Sequence, residues 1–122
     1  MLKFMVMTDD FNALLERIIT FRDQRDWKQF HNPKDMAISI VLESAELLEH
    51  FQWKDSKEVE NHLKTNKNDI ADELADVLYW VLLISNDLGI NISKALSNKM
   101  DKNEAKYPIE KTKGKHLKYT EI

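Results

Sequence analysis

Two short segments carry residues whose types and spacing could do chemistry: Glu43-Ser44-Ala45-Glu46 and Glu73-Leu74-Ala75-Asp76. In each, the acids stand three residues apart, which on a helix places both carboxylates on one face about one turn from each other. Both pairs sit among apolar residues expected to form core, Val41, Leu42, Ala45, Leu47 and Leu48 around the first and Leu74, Val77 and Leu78 around the second. If the two helices pack antiparallel, four carboxylates converge. Like charges brought together and desolvated without a partner cost several kcal/mol, so something positive must balance them. A hard divalent cation bound through oxygen is the natural solution, and an all-carboxylate set suits Mg2+, with Mn2+ as the alternative, better than zinc. The competing reading is that the acids form ion pairs with Arg17, Arg22, Arg25 or lysines, or simply face solvent.

Spacing excludes other chemistries. A carboxylate-bridged di-iron bundle needs Glu-x-x-His, and no glutamate here is followed by histidine at that distance. No H-E-x-x-H is present for a zincin site. Ser44 has no nucleophile elbow and reads as a small packing residue between helices. With no cysteine, disulfides, thiolate metal sites and a cysteine nucleophile are excluded, and a reducing cytoplasm is expected. Only two glycines, Gly89 and Gly114, are present, far too sparse for a phosphate-cradling loop or a dinucleotide-binding turn. Phosphate chemistry would have to use side chains and metal.

The elements that must position the acids are helices. Two glycines and two prolines in 122 residues leave little punctuation for hairpins, and 43% hydrophobic content suffices for one packed domain spanning 1–122. The first helix is expected to start after Thr8 or Asp9 and run to about Gln24, with Phe11, Leu14, Leu15, Ile18, Ile19 and Phe21 at helical spacing. Asn32 as N-cap and Pro33 at the first helical position introduce the second, to about Phe51. A polar connector after Trp53 is expected to hold one short helix, Ser56 to Lys64. A third main helix then starts near Asn68 or Asp69 and ends at Gly89. A fourth runs from about Ile92 to Lys106 and is stopped by Pro108. The helical core is thus about 9–107. The lysine-rich tail 109–122 has little to bury and is expected to be irregular or ordered by a partner.

The fold class predicted is all-α, a four-helix bundle. The second and third helices are apolar around much of their circumference, more than a small bundle interior can cover, which predicts a homodimer or homotetramer. The short apolar start, Met1 to Met7, carries Lys3 and meets Asp9 and Asp10, unlike a signal peptide; no apolar run approaches the length of a membrane span. No membrane partner is expected. A net charge of -3 argues against a nucleic-acid polymer as partner but not against a free nucleotide whose charge a metal carries.

Beyond the acids, the segments Arg25-Asp26-Trp27-Lys28-Gln29-Phe30-His31, Glu46-Leu47-Leu48-Glu49-His50-Phe51-Gln52-Trp53, Lys99-Met100-Asp101-Lys102-Asn103 and Lys106-Tyr107-Pro108, and the tail Lys118-Tyr119-Thr120-Glu121, occur in an order and spacing that resembles one family. It is the all-α MazG-like nucleoside triphosphate pyrophosphohydrolases, in particular their dCTP pyrophosphatase branch, over about residues 11–121. The resemblance implies hydrolysis of a nucleoside triphosphate, dCTP or a related or modified deoxynucleotide, to monophosphate and pyrophosphate. It implies Mg2+ on Glu43, Glu46, Glu73 and Asp76, with Glu43 or Glu46 activating water. Lys99, Asn103, Lys106 and Tyr107 would contact the triphosphate; the first three recur on one helix face. Trp27, Trp53 and Trp80, with Phe21 and His31, would line the base and sugar pocket. Two positions depart from animal members of the branch: Ile18 stands in place of an imidazole and Trp80 in place of a tyrosine. A diphosphohydrolase acting on dUTP or dUDP, and a non-enzymatic nucleotide-binding helical oligomer, are the alternatives.

Overall fold

The computed structural model describes residues 2–121, and side-chain statements below concern residues 11–118, 120 and 121. Five helices follow in order: α1 (Leu2–Gln24), α2 (Pro33–Glu49), α3 (Ser56–Asp87), α4 (Ile92–Lys106) and α5 (Ile109–Thr112), with single 3-10 turns at Lys28–Phe30 and Tyr119–Glu121. Among the described residues there is no strand, and no helix is long and apolar enough to cross a membrane. The chain forms two compact units, Met1–Gly89 and Ile90–Ile122.

Local chemistry sets most boundaries of the first unit. Asn32 caps α2, its side-chain oxygen accepting from the Asp35 N–H at 2.9 Å, and Pro33 opens the helix without needing a hydrogen-bond acceptor. Asp55 and Glu58 form a reciprocal capping box at the start of α3. Gly89, at φ +69°, takes the left-handed position that ends α3. The same device ends α1 without glycine. Asp26 adopts φ 53°, Trp27 N–H reaches the Arg22 carbonyl at 3.1 Å, and Asp26 N–H reaches Asp23 at 3.1 Å. Aspartate tolerates that conformation better than most side chains.

Three expectations about the elements are corrected. The first helix does not begin at Thr8 or Asp9 but at Leu2, because the preceding Leu, Lys, Phe and Met residues carry no breaker. The connector expected between the short helix Ser56 to Lys64 and the third helix is a kink rather than a loop: two helices meet at Asn66, at φ -120°, ψ 20°, where the break was expected. Nothing between Ser56 and Asp87 is a glycine or proline that would force a stop. The tail is not wholly irregular, since it contains α5 and a final 3-10 turn.

α2 packs along α3, and α1 packs on α3 more lightly. The buried apolar residues are Met36, Ile70, Leu82 and Leu83, a small set for three helices. Val41, Leu42 and Leu48, expected in the core around the acids, are exposed in the single chain, at 67%, 60% and 61%. Ser44, expected between helices, is also exposed and donates to the Ile40 carbonyl at 2.7 Å. The fully buried polar residue is Arg22, held by Asp87 through two bonds of 2.7 and 2.9 Å that join α1 to the end of α3.

In the second unit, Asn91 caps α4 by accepting from the Lys94 N–H at 3.1 Å. Tyr107 closes the helix, its N–H donating to the Asn103 carbonyl.

Candidate metal centre and adjoining groove

Because α2 and α3 run antiparallel, the pair on α2 meets the pair on α3. One carboxylate oxygen each from Glu43, Glu46, Glu73 and Asp76 lies within 4.8 Å of all the others. Among the described residues this is the one cluster of potential metal ligands of three or more groups. Glu43 and Glu73 are half-buried, and an oxygen of each is buried with no hydrogen-bond partner; Glu46 and Asp76 face outward. Burial pushes the Glu43 carboxyl above its ordinary value, reinforced by Glu46, Asp76 and Glu73. Glu73 is also raised, first by its side-chain interaction with Glu46, then by desolvation and by the charges of Glu46 and Asp76.

Such an arrangement is under-neutralised as it stands. Of the arginines offered as ion-pair partners, Arg17 lines the groove beside Asp76 without an ion pair to it, Arg22 is held by Asp87, and Arg25 lies over the Phe21 ring at 3.8 Å and donates to the Phe21 carbonyl. Two buried oxygens without a donor, in an all-oxygen donor set, fit a hard divalent cation.

Beside the acids lies an open groove of about 460 Å³ between α1 and α3. Asp76 and Arg17 are its charged lining residues, Leu14, Ile18, Ala75, Leu78 and Leu82 its aliphatic ones, and Phe21 and Tyr79 its rings. Four of the five expected pocket residues are linked by ring contacts. Phe21 meets Trp27 edge-on at 5.6 Å and Tyr79 at 6.4 Å; Tyr79 meets Trp80 at 5.1 Å, and His31 meets Trp80 at 5.1 Å. Of these, Phe21 lines the groove. The left-handed turn at Asp26 is what swings Trp27 back onto Phe21. Burial, then the Arg22 charge, lowers the His31 pKa, so this ring is held neutral.

Trp53 is not brought into these contacts. It is 91% exposed, at φ 69°, in the turn between α2 and α3. Lys99, Asn103, Lys106 and Tyr107 lie along α4 and its C-cap in the second unit, with Lys99 and Lys106 exposed and Asn103 half-buried. Sequence reasoning missed Tyr79, which joins the aromatic residues, and the Arg22–Asp87 pair. Tyr79 had a signal, since it stands three residues after Asp76 on the same face. The ion pair had none, because its members are 65 residues apart.

The comparisons with known proteins agree with this geometry. The MazG-like family model matches residues 38–122, which contain all four acids. dCTP pyrophosphatase 1 from Rattus norvegicus is 35% identical over 104 residues, 84% of this chain and 61% of that protein. Its counterpart from Homo sapiens is 33% identical over 104 residues, with the same coverage. The chain therefore spans about three fifths of the length of these curated relatives. A pyrophosphatase from Archaeoglobus fulgidus of known crystal structure is 44% identical, with a TM-score of 0.76, covering 80% of this chain and 91% of that one. With 85 consecutive residues matched and the acidic pairs in register on adjoining helices, the chain belongs to the MazG-like family.

Proposed function

We propose that this chain is a Mg2+-dependent nucleoside triphosphate pyrophosphohydrolase. It would act on dCTP or a related or modified deoxynucleotide of the cytoplasmic pool and release the monophosphate and pyrophosphate. The observation that carries the reading is the four-carboxylate cluster with two buried oxygens lacking any donor. The relatives named as dCTP pyrophosphatases and the pyrophosphatase from A. fulgidus support it.

Glu43, Glu46, Glu73 and Asp76 would hold the cation, which when bound supplies charge neutralisation for phosphate oxygens. The protein's own part is positioning and proton handling. One of Glu43 or Glu46 takes the proton of the attacking water. The groove beside Asp76 receives the base and sugar, with Phe21 and Tyr79 offering ring edges and faces and the apolar walls excluding water. Trp27, Trp80 and His31 support those rings from behind, and Trp53 offers an exposed face for stacking. On α4, the Lys99, Asn103, Lys106 and Tyr107 set is assigned to triphosphate oxygens, lysines acting as point charges.

The exposed apolar face of α2, Ile38, Val41, Leu42 and Leu48, is assigned to contact with further copies of the chain, giving a homodimer or homotetramer.

The test is pyrophosphate release from a full panel of standard and modified nucleotides with Mg2+. At least one should be hydrolysed. Glu46→Gln and Asp76→Asn should each lower the rate about a hundredfold or more, since several kcal/mol of charge stabilisation is withdrawn. No pyrophosphate from any nucleotide would end the proposal.

A further inference from the structure

Where α2 ends, two imidazoles face each other. His50 Nδ1 lies 2.8 Å from His62 Nε2, with ring centroids 5.1 Å apart. Two readings compete: a chelate waiting for a transition metal, which needs lone pairs on both facing nitrogens, or a hydrogen bond, which needs a proton on one. Asn66 decides between them.

The Asn66 side-chain nitrogen lies 3.2 Å from the His62 carbonyl oxygen and 2.8 Å from Thr65 Oγ1. A carbonyl only accepts, so this end of the amide is the NH2 group and the assignment is fixed by its partner. The same nitrogen stands 3.1 Å from His62 Nδ1. An Nδ1–H there would aim a donor at a donor, so Nδ1 carries the lone pair and the His62 proton sits on Nε2. His62 Nε2–H then donates to His50 Nδ1, which leaves the His50 proton on Nε2 as well. Burial, then the Lys54 charge, lowers the His62 pKa against an opposing pull from Asp69, in keeping with a neutral ring.

The chain of bonds has a definite place. Asn66 is where α3 departs from helical geometry. His62, Asn66 and Glu73 fall at helical spacing on one face of α3, while Glu46 and His50 stand four residues apart on one face of α2. The two histidines therefore lie on the same α2–α3 seam as the acids, with His50 about one turn beyond Glu46.

We propose that Asn66, His62 and His50 form a directional hydrogen-bond chain that fixes both imidazoles as Nε2–H tautomers and clamps the end of α2 to α3, making His50 and His62 positioning residues for the four-carboxylate site. The positioning role rests on the metal-site reading above; the tautomer assignment does not.

Nitrogen-15 NMR of histidine-labelled wild-type protein at neutral pH should show both residues protonated at Nε2, assigned by the single His→Gln variants. In Asn66→Asp, whose carboxylate only accepts, a proton should appear on His62 Nδ1. A wild-type His62 carrying its proton on Nδ1 overturns the chain. So does stoichiometric Zn2+ binding that is abolished in His62→Gln, because the pair would then be a chelate. For the positioning role, calorimetry should find the Mg2+ affinity of His62→Phe lowered about tenfold, the low end for loss of an outer-shell partner. His62→Gln, which keeps a donor and an acceptor, should recover most of it. Unchanged Mg2+ affinity in a folded His62→Phe overturns the positioning role. A silent nucleotide panel with these results intact removes only the proposed activity.

Discussion

Replacing Asp87 by asparagine should be among the most damaging single changes in the first unit, although it lies outside the acidic cluster. Arg22 is 1% exposed and its guanidinium is gripped by both Asp87 oxygens, at 2.7 and 2.9 Å. Hydrogen bonds to charged groups contribute about 1.5–3 kcal/mol each, so the two together are on the order of 3–6 kcal/mol. The range for breaking a buried pair by removing one partner, about 3–5 kcal/mol, agrees. Beyond Asp87 the guanidinium has a long 3.5 Å contact to His31 Nδ1, and Arg22 Nε is already buried without an acceptor, so little replaces the lost carboxylate. Against a domain stability of about 5–15 kcal/mol the loss is large, and it corresponds to a Tm drop of roughly 10–20 °C. Urea denaturation at one fixed protein concentration measures it, because association would otherwise shift the midpoint. The pair's other signature is pH. The Arg22 bonds hold the Asp87 carboxyl below its ordinary value, so its stabilisation is present above the unfolded-state pKa of about 3.9 and is lost as pH falls through the lower folded-state value. The gap between wild type and Asp87→Asn should therefore be constant near neutrality and close in acid. A double variant, Arg22→Met with Asp87→Leu, should regain most of the loss, since it leaves no buried charge unpaired. A single-variant loss under about 1 kcal/mol, or a double variant as unstable as the single, would refute the reasoning.

The acidic cluster titrates in the opposite sense. Glu43 and Glu73 have raised carboxyl pKa values in the fold, so the cluster's own contribution to the stability of the metal-free chain should be greatest below the ordinary glutamate range of about 4.3 and be lost as pH rises through the raised values. Adding Mg2+ should raise Tm by an amount that grows as pH rises above the ordinary glutamate range; a Tm indifferent to Mg2+ at neutral pH contradicts the site. For the α2 face, sedimentation equilibrium should find a multiple of the 14.4 kDa chain, and Val41→Lys with Leu42→Lys should reduce it toward one chain. A wild-type mass of one chain ends the oligomer proposal.

What was legible in the sequence is what short-range chemistry determines. Asn32-Pro33 marks the start of α2 because a cap and its first residue are neighbours, and Gly89 marks the end of α3 because only a left-handed residue is needed there. The acidic pairs were legible for the same reason: three-residue spacing on a helix specifies a common face. Their meeting required one further assumption, antiparallel packing of the two helices, which no local pattern specifies. The break inside α3 was legible in the polar stretch around Lys64 to Asp69, where Asn66 leaves helical geometry; that the two helices join there without a loop was not. Trp53 was hidden in the opposite way. An aromatic residue near a helix end looks like a pocket residue, while its left-handed backbone turns it to solvent. The Arg22–Asp87 and His50–His62 contacts depend on how helices approach in space, which no local pattern encodes.

These long-range contacts explain how so polar a seam holds together. Along α2 and α3, positions that a stable helix pair would fill with leucine or isoleucine carry Glu43, Glu46, His50, His62, Asn66, Glu73 and Asp76. The buried apolar set is correspondingly small, and the carboxylates oppose one another as pH rises. Helix capping, the Arg22–Asp87 clamp at one end and the histidine chain at the other offset that opposition without entering the cluster. A chain built this way keeps its acids close while leaving two of their oxygens without a donor. That combination is unfavourable for a purely structural seam and is what a cation-binding site between two helices requires.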